Sequence, residues 1–140
     1  MTTHSIGALA KRTDTKVQTI RYYEQIGLLP EPVRTAGNQR VYGDGDVERL
    51  AFIRHARALG FPLDDVRALL DLSDDPARPC DEVDALARDH LANVEARIAS
   101  LTALREELER MIDRCRGGQV GECRILSVIA DHRLCKTAHA

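Results

Sequence analysis

DEVDALARDHLANVEARIASLTALREELERMIDRCR, residues 81–116, runs without a proline or a glycine. Its apolar residues Val83, Leu86, Leu91, Val94, Ile98, Leu101, Leu104, Leu108, Met111 and Ile112 fall three and four apart, with Arg and Glu elsewhere. That spacing predicts one long helix with a coiled-coil seam. Such a stripe could dock on its own lobe, yet at a rise of about 1.5 Å per residue it reaches about 54 Å. A lobe of this chain is narrower than that, so a second copy is the better partner. The chain is therefore expected to be a homodimer, and Gly117-Gly118 ends the helix.

Two cysteines mark the ends of this helix, Cys80 just before it and Cys115 on its last turn. Thirty-five positions apart, their sulfurs are held roughly 50 Å from each other within one chain. Antiparallel pairing of two copies brings Cys80 of one chain beside Cys115 of the other, and Cys123, past a short glycine-containing loop, can join them. This arrangement predicts a metal site made by dimerisation. Isolated small core residues and disulfides are the alternative readings of the same cysteines. The N-terminus, Met1-Thr2-Thr3-His4-Ser5, has no apolar core of a secretory signal, so a reducing cytoplasm is expected, which favours metal binding or reactive thiols.

A chain of 140 residues suits one domain or two small lobes, and with 30% charged residues, 4% aromatic and no Trp it suits a long solvated helix better than a large core. Its apolar runs fall far short of the roughly 18 residues of a membrane span, so no membrane association is expected. Net charge is −2, divided as +2 over residues 1–70 and −4 over residues 71–140. The excess is too small to indicate phosphate binding by itself; placement has to carry that reading.

Ser5-Ile6-Gly7-Ala8-Leu9-Ala10 opens a short helix, and Thr13-Asp14-Thr15 reads as a turn. Thr15 with Gln18 three residues on fits a capping box, predicting a second helix from about Lys16 to Gln25 that ends at Gly27 before Pro30 and Pro32. With Ile6, Leu9, Val17 and Ile20 inward, the pair makes a helix-turn-helix whose second helix suits a major groove. Lys16, Gln18, Thr19, Arg21, Tyr22 and Tyr23 on that helix offer cations, an amide and hydroxyls for phosphates and base edges, one of the two tyrosine rings being expected in the core. Residues 34–42 read as a hairpin wing around a Gly-Asn turn, with Arg34, Asn38, Arg40 and Tyr42 meeting the DNA backbone beside the groove. A third helix is predicted over about 46–59 and a fourth opens at Pro62 with Val66, Leu69 and Leu70. Ser73-Asp74-Asp75-Pro76 then marks a linker.

The fold expected is mainly α: a winged helix-turn-helix lobe over residues 1–75, a dimerisation helix over 76–116, and a metal-binding loop, short helix and tail over 117–140. The ordered set Ile6-Gly7-x-Leu9-Ala10, Thr19-Ile20-Arg21-Tyr22-Tyr23-Glu24, Gly27-Leu28-Leu29, Arg40-x-Tyr42 and Asp46-Val47-x-Arg49-Leu50 closely resembles the MerR family of bacterial transcription regulators. The resemblance covers essentially the whole chain. It implies a homodimer on double-stranded promoter DNA, without catalytic activity. In the family, metal binding bends and untwists the promoter so that its elements come into register for RNA polymerase.

Within that family Cys80, Cys115 and Cys123 match the positions used by sensors of mercury, lead, cadmium and zinc, with Cys80 supplied by the partner subunit. Copper(I) sensors resemble Cys115 and Cys123 but carry a small polar residue in place of Cys80, and zinc sensors usually add a His that residues 116–122 lack. Three thiolates without a nearby imidazole suit soft ions better than a tetrahedral zinc site. Cadmium or lead is therefore expected first, then mercury or zinc, with Cys135, His132 and His139 as candidate extra ligands. Cys80 at a helix N-terminus and Arg114, Arg116 and Arg124 beside the other two cysteines favour thiolates. A copper(I) sensor and a thiol redox sensor using Cys115 and Cys123 as a reversible disulfide are the alternatives.

Overall fold

The computed structural model describes residues 2–115, 117–131 and 133, and divides into two units, Met1–Val83 and Asp84–Ala140. In the first, helix α1 (Ile6–Thr13) starts where the Ser5 hydroxyl accepts from the Ala8 N–H at 3.1 Å, a favoured N-cap. It stops at Asp14, which takes a left-handed conformation with φ 49, and Lys11 and Arg12 face the negative end of the helix dipole. Helix α2 (Val17–Gln25) follows after a tight turn. The capping box expected at Thr15 is not formed: its hydroxyl donates to the Thr13 carbonyl at 3.0 Å, and Lys16 takes the N-cap without a side-chain bond. The hydroxyl is spent on tightening the turn, so α2 begins just past Lys16. Gly27, at φ 80, turns the chain out of α2.

Strands β1 (Val33–Arg34) and β2 (Arg40–Val41) form an antiparallel hairpin in the register Val33 to Val41 and Arg34 to Arg40. Its turn closes by the Asn38 N–H on the Thr35 carbonyl, 2.8 Å, with Asn38 at φ 62, a conformation asparagine tolerates. Just beyond β2, Tyr42 exchanges backbone hydrogen bonds with His4 at 2.7 and 2.8 Å, tying the wing to the N-terminus. Helix α3 (Asp44–Ala58) opens two residues before the predicted start, because the Asp46 carboxylate accepts from the Gly43 N–H at 3.0 Å and fixes the first turn. Helix α4 (Leu63–Ser73) has Pro62 as its N-cap.

Leu9, Ile20, Leu28, Leu29, Leu50, Ile53, Val66 and Leu70, with Tyr42 and Ala56, are buried together, and Ile6, Tyr23, Val47 and Phe61 pack against them. Each fully buried Leu, Ile or Val contributes roughly 1.5–3 kcal/mol, so this core holds the helix pair and the wing as one body. Asp14 and Arg54 add an exposed ion pair at 3.2 Å from the turn to α3.

Helix α5 (Asp81–Arg114), which begins in the last residues of the first unit and runs through the second, covers nearly all of the predicted stretch. The stripe on it is left uncovered: Leu91, Ile98, Leu101, Leu108 and Ile112 are 46–64% exposed. Only Met111 of the stripe is buried, together with Glu107, which pairs with Arg110, and Val128 of helix α6 (Arg124–Ala130). Gly117 and Gly118, at φ 87 and 94, reverse the chain after α5, and a 3-10 turn over Val120–Glu122 leads into α6. No helix among the described residues is long and apolar enough to cross a membrane.

Candidate metal centre and nucleic-acid interface

Cys115 directly follows α5, its N–H donating to the Met111 carbonyl at 3.0 Å, and Cys123 is the N-cap residue of α6. The two-glycine reversal is what lets them meet. A side chain at either glycine is strained by the positive φ, and a Cβ on Gly118 lies 3.2 Å from a Glu122 carboxylate oxygen. The Cys123 N–H is held by the Val120 carbonyl at 3.1 Å, while its own carbonyl accepts from the Ser127 N–H and hydroxyl, both at 3.1 Å. The outcome is a sulfur-to-sulfur distance of 3.4 Å between two half-buried free thiols, well beyond the about 2.05 Å of a disulfide.

The two sulfurs have opposite acidities. The Leu126 N–H at the start of α6 pulls the Cys123 pKa down, helped by the Cys115 thiol and the Ile125 N–H. These amides face the sulfur without making a capping bond of full geometry. Cys115 is pushed up, first by its hydrogen bond to Cys123 and then by burial. The hydrogen bond between the two sulfurs, in which either thiol can donate, thus shifts the two in opposite directions. Soft donors this close fit one thiophilic ion.

Cys80 is exposed and immediately precedes α5. The 34 residues of α5 rise about 51 Å, so Cys80 and Cys115 stand at opposite ends of one helix. Among the described residues, no group of three His, Cys, Asp or Glu gathers for a metal within the chain. His132, Cys135, His139 and Arg116 lie outside the described residues.

On α2, Gln18, Arg21, Tyr22 and Gln25 are all exposed and recur three and four apart, making one outward face. Lys16 is exposed at its start, Thr19 is half-buried, and Tyr23 packs on the core while Tyr22 is 47% exposed. Arg21 of α2, Arg34 of β1 and Arg40 of β2 line one open hollow of about 360 Å³ together with Glu24 and Glu31. Arg34 donates to the Asn38 carbonyl at 3.1 Å, bracing the exposed wing tip.

Tyr42 departs from the sequence expectation. It was expected beside the DNA backbone, but it is 2% exposed, with its hydroxyl donating to Glu24. Burial first, and then Glu24, push its pKa up to about 12. A two-residue strand carries no periodicity to say which side faces inward, and the core claimed this ring. Glu24 also accepts from Arg40 at 3.1 Å, so α2 and the wing are joined through one carboxylate. Sequence reasoning assigned Glu24 no role. Its place next to two tyrosines, in a stretch otherwise rich in donors, was the available signal.

Two family models match the chain: "MerR HTH family regulatory protein" over residues 4–73 and "MerR, DNA binding" over residues 47–111. The chain is 44% identical over 115 residues to the HTH-type transcriptional regulator ZntR of Escherichia coli K12, covering 81% of this chain and 82% of that one. It is 38% identical over 127 residues to heavy metal-dependent transcription regulator 2 of Rhizobium meliloti, covering 91% and 86%. Among solved structures, the transcription regulator PbrR691 from Ralstonia metallidurans CH34 in complex with lead(II) superposes with a TM-score of 0.79 at 44% identity. That match covers 90% of this chain and 98% of that one. Helix-turn-helix, wing and long helix occur here in the order those matches span, and the chain belongs to the MerR family of helix-turn-helix regulatory proteins.

Proposed function

We propose that this chain is a metal-responsive transcription regulator. It binds promoter DNA as a homodimer and activates transcription when a soft divalent ion binds Cys115 and Cys123 together with Cys80 of the partner subunit. The 3.4 Å thiol pair carries this reading, because it presents two soft donors already converged beside an exposed apolar stripe that asks for a second copy. Cadmium or lead is the first choice of ion, then mercury or zinc. Thiolate donors favour soft ions, and PbrR691 is a lead(II) complex. The bound ion supplies a shared positive centre for thiolates of both subunits. The chain's own part is to hold Cys123, its pKa lowered, and Cys115 within reach of one ion, and to present Gln18, Arg21, Tyr22, Arg34 and Arg40 to DNA. The setting is the cytoplasm, with RNA polymerase as the further partner and no catalytic activity; that the chain is similar to transcription regulators supports this part of the reading.

The test is transcription in vitro from a promoter fragment enriched by binding to the purified chain, with cadmium or lead added. Induction by the ion is expected in the native chain and lost in Cys123→Ser. Equal transcription with and without every ion in the series overturns the reading. The same thiol pair suits a disulfide-based redox sensor, and copper(I) would also need only these two cysteines. Cys80 has no part in either, so an undiminished response in Cys80→Ser would favour them.

A further inference from the structure

Backbone N–H groups of the following turn take the Tyr22, Tyr23 and Glu24 carbonyls at the end of α2, and just past it two guanidinium groups from different helices take carbonyls of the turn itself. Arg67 of α4 donates from Nη2 to the Ile26 carbonyl at 2.5 Å, and Arg49 of α3 donates from Nε to the Leu28 carbonyl at 2.9 Å. Between these carbonyls lies Gly27, at φ 80, so the clamp grips the turn that sets where the DNA-facing helix stops. Positive charge there also suits the negative end of the α2 dipole.

Arg49 has a second arm. Its Nη1 stands 3.4 and 3.3 Å from the two carboxylate oxygens of Asp74, the C-cap residue of α4. Asp74 opens the connection that leads to Cys80 and α5. That connection is turned and braced: the Asp75 N–H bonds the Leu72 carbonyl, the Arg78 N–H bonds the Asp75 carbonyl, and the Arg78 side chain pairs with Glu82 in the first turn of α5. One guanidinium thus joins the turn that follows the recognition helix to the start of the segment bearing a candidate metal ligand. Its N–H vectors are fixed in one plane, so it cannot follow a displaced Asp74 carboxylate without tilting off the Leu28 carbonyl. Asp74 is 59% exposed, and an ion pair so exposed contributes little to stability. Stability is therefore a poor account of this contact, whereas transmission needs only that it differ between two states.

We propose that Arg49 and Asp74 are positioning residues that pass a displacement of the connection before Cys80 to the DNA-facing helix. The inference rests on the metal-response reading above and deepens it. The test uses the full-length dimer as wild type, Asp74→Asn, Asp74→Glu and Arg49→Lys, on a promoter fragment enriched in vitro and carrying 2-aminopurine at the centre of its spacer. Cadmium binding is followed by sulfur-to-metal charge-transfer absorption, promoter affinity by gel retardation, and DNA distortion by 2-aminopurine fluorescence.

In Asp74→Asn and Arg49→Lys, cadmium stoichiometry is unchanged and promoter affinity stays within about twofold. Their cadmium-dependent fluorescence change falls at least about fivefold, and Asp74→Glu restores it. Full fluorescence change in both variants overturns the proposal. So does a loss of promoter affinity as large as the loss of signal, since the clamp would then only hold the helix in place. A wild-type dimer whose fluorescence changes with none of cadmium, lead, mercury and zinc overturns the metal-response reading instead, before a variant is measured.

Discussion

Glu24 is 9% exposed as a side chain and accepts from both Tyr42 and Arg40, so a single carboxylate fixes the wing against the recognition helix. Removing the phenol leaves that carboxylate short of a partner. Tyr42→Phe should destabilise the DNA-binding unit by about 1–3 kcal/mol at neutral pH. The pH sign follows from the raised phenol: with its pKa near 12 in the fold against an ordinary 10, Tyr42 adds stability that is whole below about pH 10 and lost as pH climbs through 12. Urea unfolding at pH 9 and pH 11.5 should show a smaller drop in Tyr42→Phe than in wild type, and an equal drop would remove Tyr42 from the account. Arg21 lies on the outward face and in the hollow shared with Arg34 and Arg40. Arg21→Ala should weaken promoter binding and leave metal stoichiometry alone, lowering the salt slope by about one unit or costing about 1–3 kcal/mol of base discrimination. Unchanged affinity across a salt series would make Arg21 a solvated surface charge.

Helix α5 was readable from its sequence because nothing in it breaks a helix and its apolar residues keep one stripe. The helix-turn-helix and wing were readable from glycines, prolines and turn residues. What stayed hidden was the choice among competing partners. Thr15 had a backbone N–H and the Thr13 carbonyl within reach, and the turn took its hydroxyl. Arg49 and Arg67 reach residues 21 and 41 positions away, and such pairs leave no local pattern. Loop length and its glycines brought Cys115 and Cys123 within one reading of the sequence, but the unequal acidity of the two sulfurs depends on where α6 starts. At this scale the stripe makes its own prediction. Leu101 is 64% exposed, and half-burial of such a side chain is worth about 1 kcal/mol per copy. A charge buried there without a partner costs far more. Leu101→Glu should give a monomer in sedimentation at micromolar concentration and abolish promoter retardation; a dimer that persists would place the interface elsewhere.

For the whole molecule, the thiols at the far ends of α5 carry the central claim, since one chain brings together Cys115 and Cys123 but keeps Cys80 a helix length away. On the proposed reading, metal response is a property of the pair of subunits, coupled to DNA-bound geometry through sites that take donors from both chains. Cys80→Ser and Cys115→Ser should each abolish metal response as homodimers. The most direct measurement is to combine them in one heterodimer, purified with a different tag on each subunit, and titrate it with cadmium while following sulfur-to-metal charge-transfer absorption. One site of that heterodimer keeps Cys115 and Cys123 of the Cys80→Ser chain and Cys80 of the partner subunit, while the other site loses both Cys80 and Cys115. The heterodimer should bind about one equivalent of cadmium by the three-thiolate mode, half the capacity of wild type as the antiparallel geometry of a helix with a rise of about 1.5 Å per residue requires. Binding no greater than that of either parent homodimer would contradict the shared site.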